Sequence, residues 1–239
     1  AQSKGNLPKQ FIDWGGWTLF GETLERIKGS IFDYPIITTN LAYLSLVKKH
    51  LSKHKIKKYK IILEPLKKNT APAILTPALI KSVSYEQPMI FFSSDNLIGN
   101  VDQFNRSISL YKKHLDDDNI FIFGIKPISP SPEYGYFLSK KISKKINKVT
   151  QFIEKPNKAK VKIIIKKKGY MNSGMFFIRK DSIINNFKRY QNKLFINCSD
   201  SVRKSKQHRN VYYLDKSSFN KIKEISIDYA ILEKSKNIN

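Results

Sequence analysis

The stretch Thr150–Phe177 constrains this chain more than any other. Thr150-Gln151-Phe152-Ile153 stops at Glu154-Lys155-Pro156, and after a basic insert Gly169-Tyr170-Met171-Asn172-Ser173-Gly174 leads into Met175-Phe176-Phe177. Short apolar runs bounded by glycine and proline read as buried strands, and such strands deliver polar side chains to a cleft at a sheet edge. Pro156 cannot donate to a ladder, so Glu154 and Lys155 are fixed where backbone pairing gives out. Taken alone, Glu-Lys-Pro is an ordinary solvated ion pair at a strand end. The second run changes that reading, because Asn172, Ser173 and Gly174 add an amide, a hydroxyl and a position open to close backbone approach.

Further strands and helices alternate along the chain. Strands are expected at Pro35–Thr39, Lys58–Leu63, Pro88–Phe92 and Ile120–Ile125. Helical spacing joins Phe20, Leu24 and Ile27, with Gly29 as a C-cap; Tyr43, Leu44, Val47 and Leu51, with Asn40 as N-cap; and Phe104, Ile108, Tyr111 and Leu115. Thr70 can cap a helix carrying Pro72 in its first turn, Lys158 to Lys168 reads as a basic helix closed by Gly169, and Asp181 caps a helix with Ile183, Ile184, Phe187 and Tyr190 inward. His50 and His54 lie one turn apart among lysines and read as a solvated face. Asp116-Asp117-Asp118 reads as a solvated turn, since consecutive carboxylates point apart. Gln191 to Asn220 is irregular and polar and reads as a surface excursion.

With 239 residues, 41% of them hydrophobic, the chain can bury a core of ordinary size. One cysteine excludes an internal disulfide and fits a reducing, cytoplasmic location. No apolar run reaches the roughly 20 residues needed to span a bilayer, and no signal-peptide pattern opens the chain, so no membrane partner is expected. The net charge of +25 would suit a nucleic-acid binder, yet the lysines are spread over nearly every helical segment among abundant Asn and Ile. That is a compositional bias, and no Arg-rich or aromatic-interleaved motif marks a nucleic-acid partner.

Phe152-Ile153-Glu154-Lys155-Pro156 followed by Asn172-Ser173-Gly174-Met175-Phe176 resembles the sugar-phosphate side of the bacterial mannose-1-phosphate guanylyltransferases, also called GDP-mannose pyrophosphorylases. Other stretches are similar to that family in the same order. Pro8-Lys9 resembles the end of its pyrophosphorylase signature, and Glu64-Pro65-Leu66-Lys67-Lys68-Asn69-Thr70-Ala71-Pro72-Ala73 its nucleotide-base motif. Ser93-Ser94-Asp95-Asn96, Tyr134-Gly135-Tyr136 and Ser226-Ile227-Asp228-Tyr229 complete the set. Three departures stand out: Lys68 where the family has Arg, Asn96 where it has His, and Ser131-Pro132-Glu133 where it has Glu-Thr-Gly. Glu133 is expected to oppose a doubly anionic sugar phosphate.

The resemblance implies a single Rossmann-like α/β/α nucleotidyltransferase domain over residues 1–239, with a mixed, mainly parallel sheet. It implies transfer of GMP from GTP to mannose 1-phosphate with release of pyrophosphate. Lys9, Asp95 and Asp228 would be catalytic, with Mg²⁺ held by Asp95 and Asp228. Glu64, Lys68, Asn69 and Thr70 would bind the nucleotide, and Gly135, Glu154, Lys155 and Asn172 the sugar phosphate. It also implies a glycine-rich loop upstream of Ala1 and further structure beyond Asn239, and it leaves a homo-oligomer open. A competing reading, favoured by Asn96 and the altered loop, is a non-catalytic nucleotide-sugar-binding regulatory relative.

Overall fold

A computed structural model describes residues 7–29, 31–116, 119–143 and 146–239. In chain order its elements are α1 (Leu19–Arg26), β1 (Ile36–Asn40), α2 (Leu44–Lys53), β2 (Lys60–Glu64), α3 (Thr70–Leu79), β3 (Pro88–Phe91), α4 (Val101–Lys112), β4 (Ile120–Ile125), β5 (Tyr136–Lys141), β6 (Asn147–Ile153), α5 (Lys158–Lys166), β7 (Tyr170–Arg179), α6 (Lys180–Tyr190), α7 (Asn192–Arg203), β8 (Lys206–His208), β9 (Val211–Tyr213) and α8 (Lys216–Asn220). Asp117 and Asp118 of the expected acidic turn lie outside the described residues; Asp116 is exposed and accepts from the backbone N–H and side-chain amide of Asn119.

These elements make two compact units. The first draws on the described residues of Ala1–Lys67, Phe92–His114 and Asp200–Asn220. Its sheet has the order β1-β2-β9-β8, with β1/β2 and β2/β9 parallel and the β8–β9 hairpin antiparallel. Phe11, Phe20, Leu24, Val47, Leu51, Ile61, Leu63 and Val211 form its core. The α1 start is as the hydrogen-bonding chemistry of threonine dictates, Thr18 Oγ1 accepting from Gly21 N at 2.9 Å, while the helix ends at Arg26 with Ile27 as its C-cap, short of Gly29.

The second unit draws on Lys68–Phe91, Leu115–Ser199 and Lys221–Asn239. Among the described residues its strands β3 to β7 pair antiparallel, with a single parallel bridge from Ile120 to Ile238, and the ten-residue β7 is its axis, pairing with β3, β4 and β5, while β6 pairs with β5. The α/β class expected from the sequence is present, with every parallel ladder in the first unit's sheet.

Three local readings are corrected. Asn69, not Thr70, caps α3: it adopts φ 67°, and its side chain accepts from Thr70 N at 2.8 Å. His50 is not solvated: it is 8% exposed, packed between Phe11 and Phe20, and stacked on His54, whose ring contacts Glu25 Oε1 at 2.6 Å. Burial first, and then the neighbouring His54, Lys53 and Lys49, push His50 below its ordinary value. The span from Gln191 to Asn220 is ordered structure, not an excursion. Leu194 and Cys198 bury one face of α7, and β9 joins the parallel sheet beside β2.

Candidate functional site

In the second unit, strand register gathers the residues that the sequence left far apart. Tyr136, the first residue of β5, pairs with Ile153, the last of β6, and with Met171 of β7. Gly135, Glu154 and Asn172 are the next residues beyond those pairs, so they share one sheet edge. Asn172 N donates to Gly135 O at 2.8 Å, and its Oδ1 accepts from Gly174 N at 3.2 Å. The remaining amide proton donor, Nδ2, reaches Asp228 Oδ1 at 3.0 Å. Asn172 is 7% exposed, so all these bonds work in a low-dielectric setting.

The Glu154 carboxylate lies over Gly135. A Cβ at position 135 would meet Glu154 Oε2 at 2.5 Å and Phe152 Cζ at 3.1 Å, so glycine here leaves room for the carboxylate. Burial, with Asp228 and Glu233 nearby, pushes Glu154 up to about 7, against the opposing pull of Lys155. Asp228 is also raised, chiefly by burial, against the pull of its own backbone, Ser226, Asn172 and Lys155. Glu154 N donates to Glu233 Oε1 at 2.9 Å, so Glu233 is a member of this acidic group that the sequence reading missed. Lys155 is exposed and holds φ 48°, although a following proline favours extended backbone.

Asp228 opens a single π-turn, Asp228–Leu232. Its segment is tied to the base motif of the same unit. Ile225 N donates to Lys68 O, Ala71 N to Ile225 O, and Ile227 N to Thr70 Oγ1 at 2.9 Å. Two motifs far apart in the chain are thereby joined, Thr70 and Ile227 being 157 positions apart. Asn69 Oδ1 and Thr70 Oγ1 both serve backbone N–H groups, which leaves the Asn69 amide donor for a ligand.

In the first unit, Pro8 leads into a single 3₁₀ turn, Lys9–Phe11, pinned by the buried Phe11 ring against Phe20. Lys9 Nζ lies 2.5 Å from Asp95 Oδ2, and the Ser93 hydroxyl bonds Asp95 Oδ1. Burial alone would push Asp95 up; the Lys9 ammonium and the Ser93 hydroxyl outweigh it and hold the carboxyl below its usual value. The Asp95 loop has a second support that sequence reasoning missed. Arg26, only 4% exposed, donates from Nη1 to Asn96 O at 3.1 Å and from Nη2 to Thr23 Oγ1, with its guanidinium 5.2 Å from the Phe92 ring centroid. A charged residue on the inner face of α1 was the available signal.

Glu64 ends β2. Its Oε1 is enclosed without a hydrogen-bond partner among the described residues, and burial pushes the carboxyl up to about 8. Glu133 is exposed, so solvent screens the charge that was expected to oppose a sugar phosphate. Among the described residues no group of three His, Cys, Asp or Glu side chains converges on one point. The donor chemistry suits Mg²⁺ nonetheless, because that ion takes one or two carboxylates and completes its shell with water and substrate phosphates. Asp228 is a carboxylate of this kind, destabilised by burial beside Glu154 and therefore improved by a cation.

Residues 4–219 match the sequence pattern of the nucleotidyl transferase family. The chain belongs to that family. This nucleotidyltransferase chain is 30% identical to the alginate biosynthesis protein AlgA of Pseudomonas fluorescens, over 98% of this chain and 50% of that protein. It is 29% identical to a mannose-1-phosphate guanylyltransferase of Escherichia coli, over 98% of this chain and 53% of that one. The chain thus spans about half the length of the curated relatives it matches. Among solved structures it is similar to a protein described as mannose-6-phosphate isomerase from Helicobacter pylori, with a TM-score of 0.87 and 27% identity over 97% of this chain and 90% of that chain. Among the described residues no helix of the nucleotidyltransferase chain is long and apolar enough to cross a membrane.

Proposed function

We propose that the nucleotidyltransferase moves GMP from GTP to α-D-mannose 1-phosphate, giving GDP-mannose and pyrophosphate. The observation that carries this reading is the edge formed by Gly135, Glu154 and Asn172, with Asp228 bonded to Asn172. It offers a sugar what a sugar requires: carboxylate acceptors, an amide, a backbone approach at glycine, and the Lys155 ammonium for phosphate. The similarity to a mannose-1-phosphate guanylyltransferase supports the reaction class, transfer of a nucleotidyl group to a sugar phosphate.

In this reaction a phosphate oxygen of mannose 1-phosphate attacks the α-phosphorus of GTP. The bond from the α-phosphorus to the bridging oxygen breaks, and pyrophosphate leaves with that electron pair. No covalent intermediate with the protein is needed, so the protein contributes positioning and charge neutralisation. Glu64 accepts from donors on the guanine edge, with Lys68, Asn69 and Thr70 completing the nucleotide contacts. Lys9 exchanges Asp95 for a nucleotide phosphate. Mg²⁺ at the Asp228 carboxylate would neutralise phosphate charge when bound. The reading carries a cytoplasmic location, where both substrates are soluble.

The test is product analysis with GTP, mannose 1-phosphate and Mg²⁺. Equal yields of GDP-mannose and pyrophosphate are expected. GTP left intact, or consumed without GDP-mannose appearing, overturns the proposal.

A further inference from the structure

The first unit contains a cationic cavity that the proposed reaction does not use. It has a volume of about 410 Å³ and is lined by Lys48 of α2, Tyr59 just before β2, and His208, Arg209, Asn210 and Val211 of the β8–β9 hairpin. Among the described residues no carboxylate lines it, and neither Lys48 nor Arg209 is in an ion pair. It lies at the amino end of β2 and β9, whereas Glu64 and Asn40 end the same parallel sheet at its other edge. Glu64 lies five positions along the strand from Tyr59, about 16 Å at a strand's rise. We propose that this cavity is a second binding site, taking a small ligand that carries two or more phosphate groups.

The hairpin is built in a way that supports this. His208 pairs with Val211, so Arg209-Asn210 is a two-residue turn, and Arg209 adopts φ 51°. Two-residue hairpin turns place glycine, asparagine or aspartate at positive φ because a larger side chain is strained there. Here an arginine occupies that position. The strain is held by bonds on both sides: Gln207 Nε2 donates to Arg209 O at 2.9 Å, and Ile61 N donates to Asn210 O at 2.8 Å. Lys60 Nζ bonds the Tyr212 hydroxyl at 3.2 Å, fixing β9 to β2. Arg209 is thus carried on a fixed turn and shares the cavity lining with Lys48 and His208. Guanidinium forks bind phosphate oxygens in pairs, an ammonium adds a point charge, and Asn210 and Tyr59 bring an amide and a hydroxyl to the residues of the lining. The volume exceeds a single phosphate and falls in the range of small-ligand pockets.

Pyrophosphate is a product of the proposed reaction, so the experiment must read this cavity alone. His208 alone among the four histidines lines it, and its imidazole resonances can be assigned with His208→Gln. Titrating the protein with pyrophosphate, and in a parallel arm with GDP, should move those resonances saturably, with an affinity that falls as salt is added. Saturation in the GDP arm alone would assign the organic part a share of the contact and still support the site. Arg209→Gly removes the guanidinium while giving the turn its preferred residue, so thermal stability should hold or rise and guanylyl transfer should be unaffected. Its affinity for pyrophosphate at this site should drop by about tenfold or more, as expected for a lost bond to a charged group. Lys9→Ala, in contrast, should leave the His208 response intact. The proposal is overturned if neither pyrophosphate nor GDP moves the His208 resonances, or if Arg209→Gly responds like the unaltered protein.

Discussion

Gly135→Ala separates the architecture of the sugar-phosphate edge from its chemistry. The new Cβ would stand 2.5 Å from Glu154 Oε2, and ordinary contact begins at 3.4 Å, so the carboxylate must retreat by 0.9 Å. Overpacking typically costs about 1–3 kcal/mol. The atom most in the way is the far end of a flexible side chain, so we take the low end, about 1 kcal/mol, or a Tm lower by about 2–4 °C for a chain of this size. Catalysis should suffer far more, because displacing a positioning group by about 1 Å can cost about 100-fold. The assay is steady-state pyrophosphate release with mannose 1-phosphate and GTP varied in turn, alongside a thermal melt. The expected pattern is a loss of about 10–100-fold in kcat/KM for mannose 1-phosphate, a nearly unchanged KM for GTP and a small fall in Tm. Unchanged sugar-phosphate kinetics would refute the placement of Glu154 against the substrate.

Other outcomes follow from the same geometry. Glu64 holds its proton more tightly in the fold, at about 8 against an ordinary 4.5, so the stability this confers is complete below about pH 4.5 and is lost as pH rises to about 8. Glu64→Gln should flatten that fall, a gain on the order of 5 kcal/mol at the alkaline end that urea midpoints across the window would detect, while guanine binding weakens. Asp228→Asn should keep the bond from Asn172 and the fold, yet lower turnover by about 100-fold or more through loss of one phosphate-neutralising charge, measured against Mg²⁺ concentration. Arg26→Met should cost about 1–3 kcal/mol by removing charged donors from Asn96 O and Thr23, and the loosened Asp95 loop should lower kcat more than it changes sugar-phosphate KM.

The sugar-phosphate edge was legible in the sequence because its strands are apolar and β6 is abruptly ended before Pro156, so Glu154 had to emerge at a strand end, whereas Asn172 lies within β7, paired with Gly124. The register that seats Glu154 on Gly135 was not legible, since cross-strand pairing depends on partners dozens of residues away. β9 escaped for a related reason: Val211-Tyr212-Tyr213 is too short to announce itself, and its place beside β2 is fixed by long-range parallel pairing. Leu194 and Cys198, four residues apart, did carry a readable helical signal within what looked like an irregular polar span. Lys9 and Asp95 were both named from the resemblance, but their ion pair, and the support Arg26 gives to the neighbouring carbonyl, arise only when the loops fold together.

The central claim is that the edge formed by Gly135, Glu154 and Asn172 receives mannose 1-phosphate. Titrating that compound into the isotopically labelled protein, without nucleotide, and following the Gly135 backbone amide and the Asn172 side-chain amide by NMR tests it most directly. The account predicts saturable shifts at both, weakened by Gly135→Ala. Saturable binding that leaves both signals unmoved would contradict it.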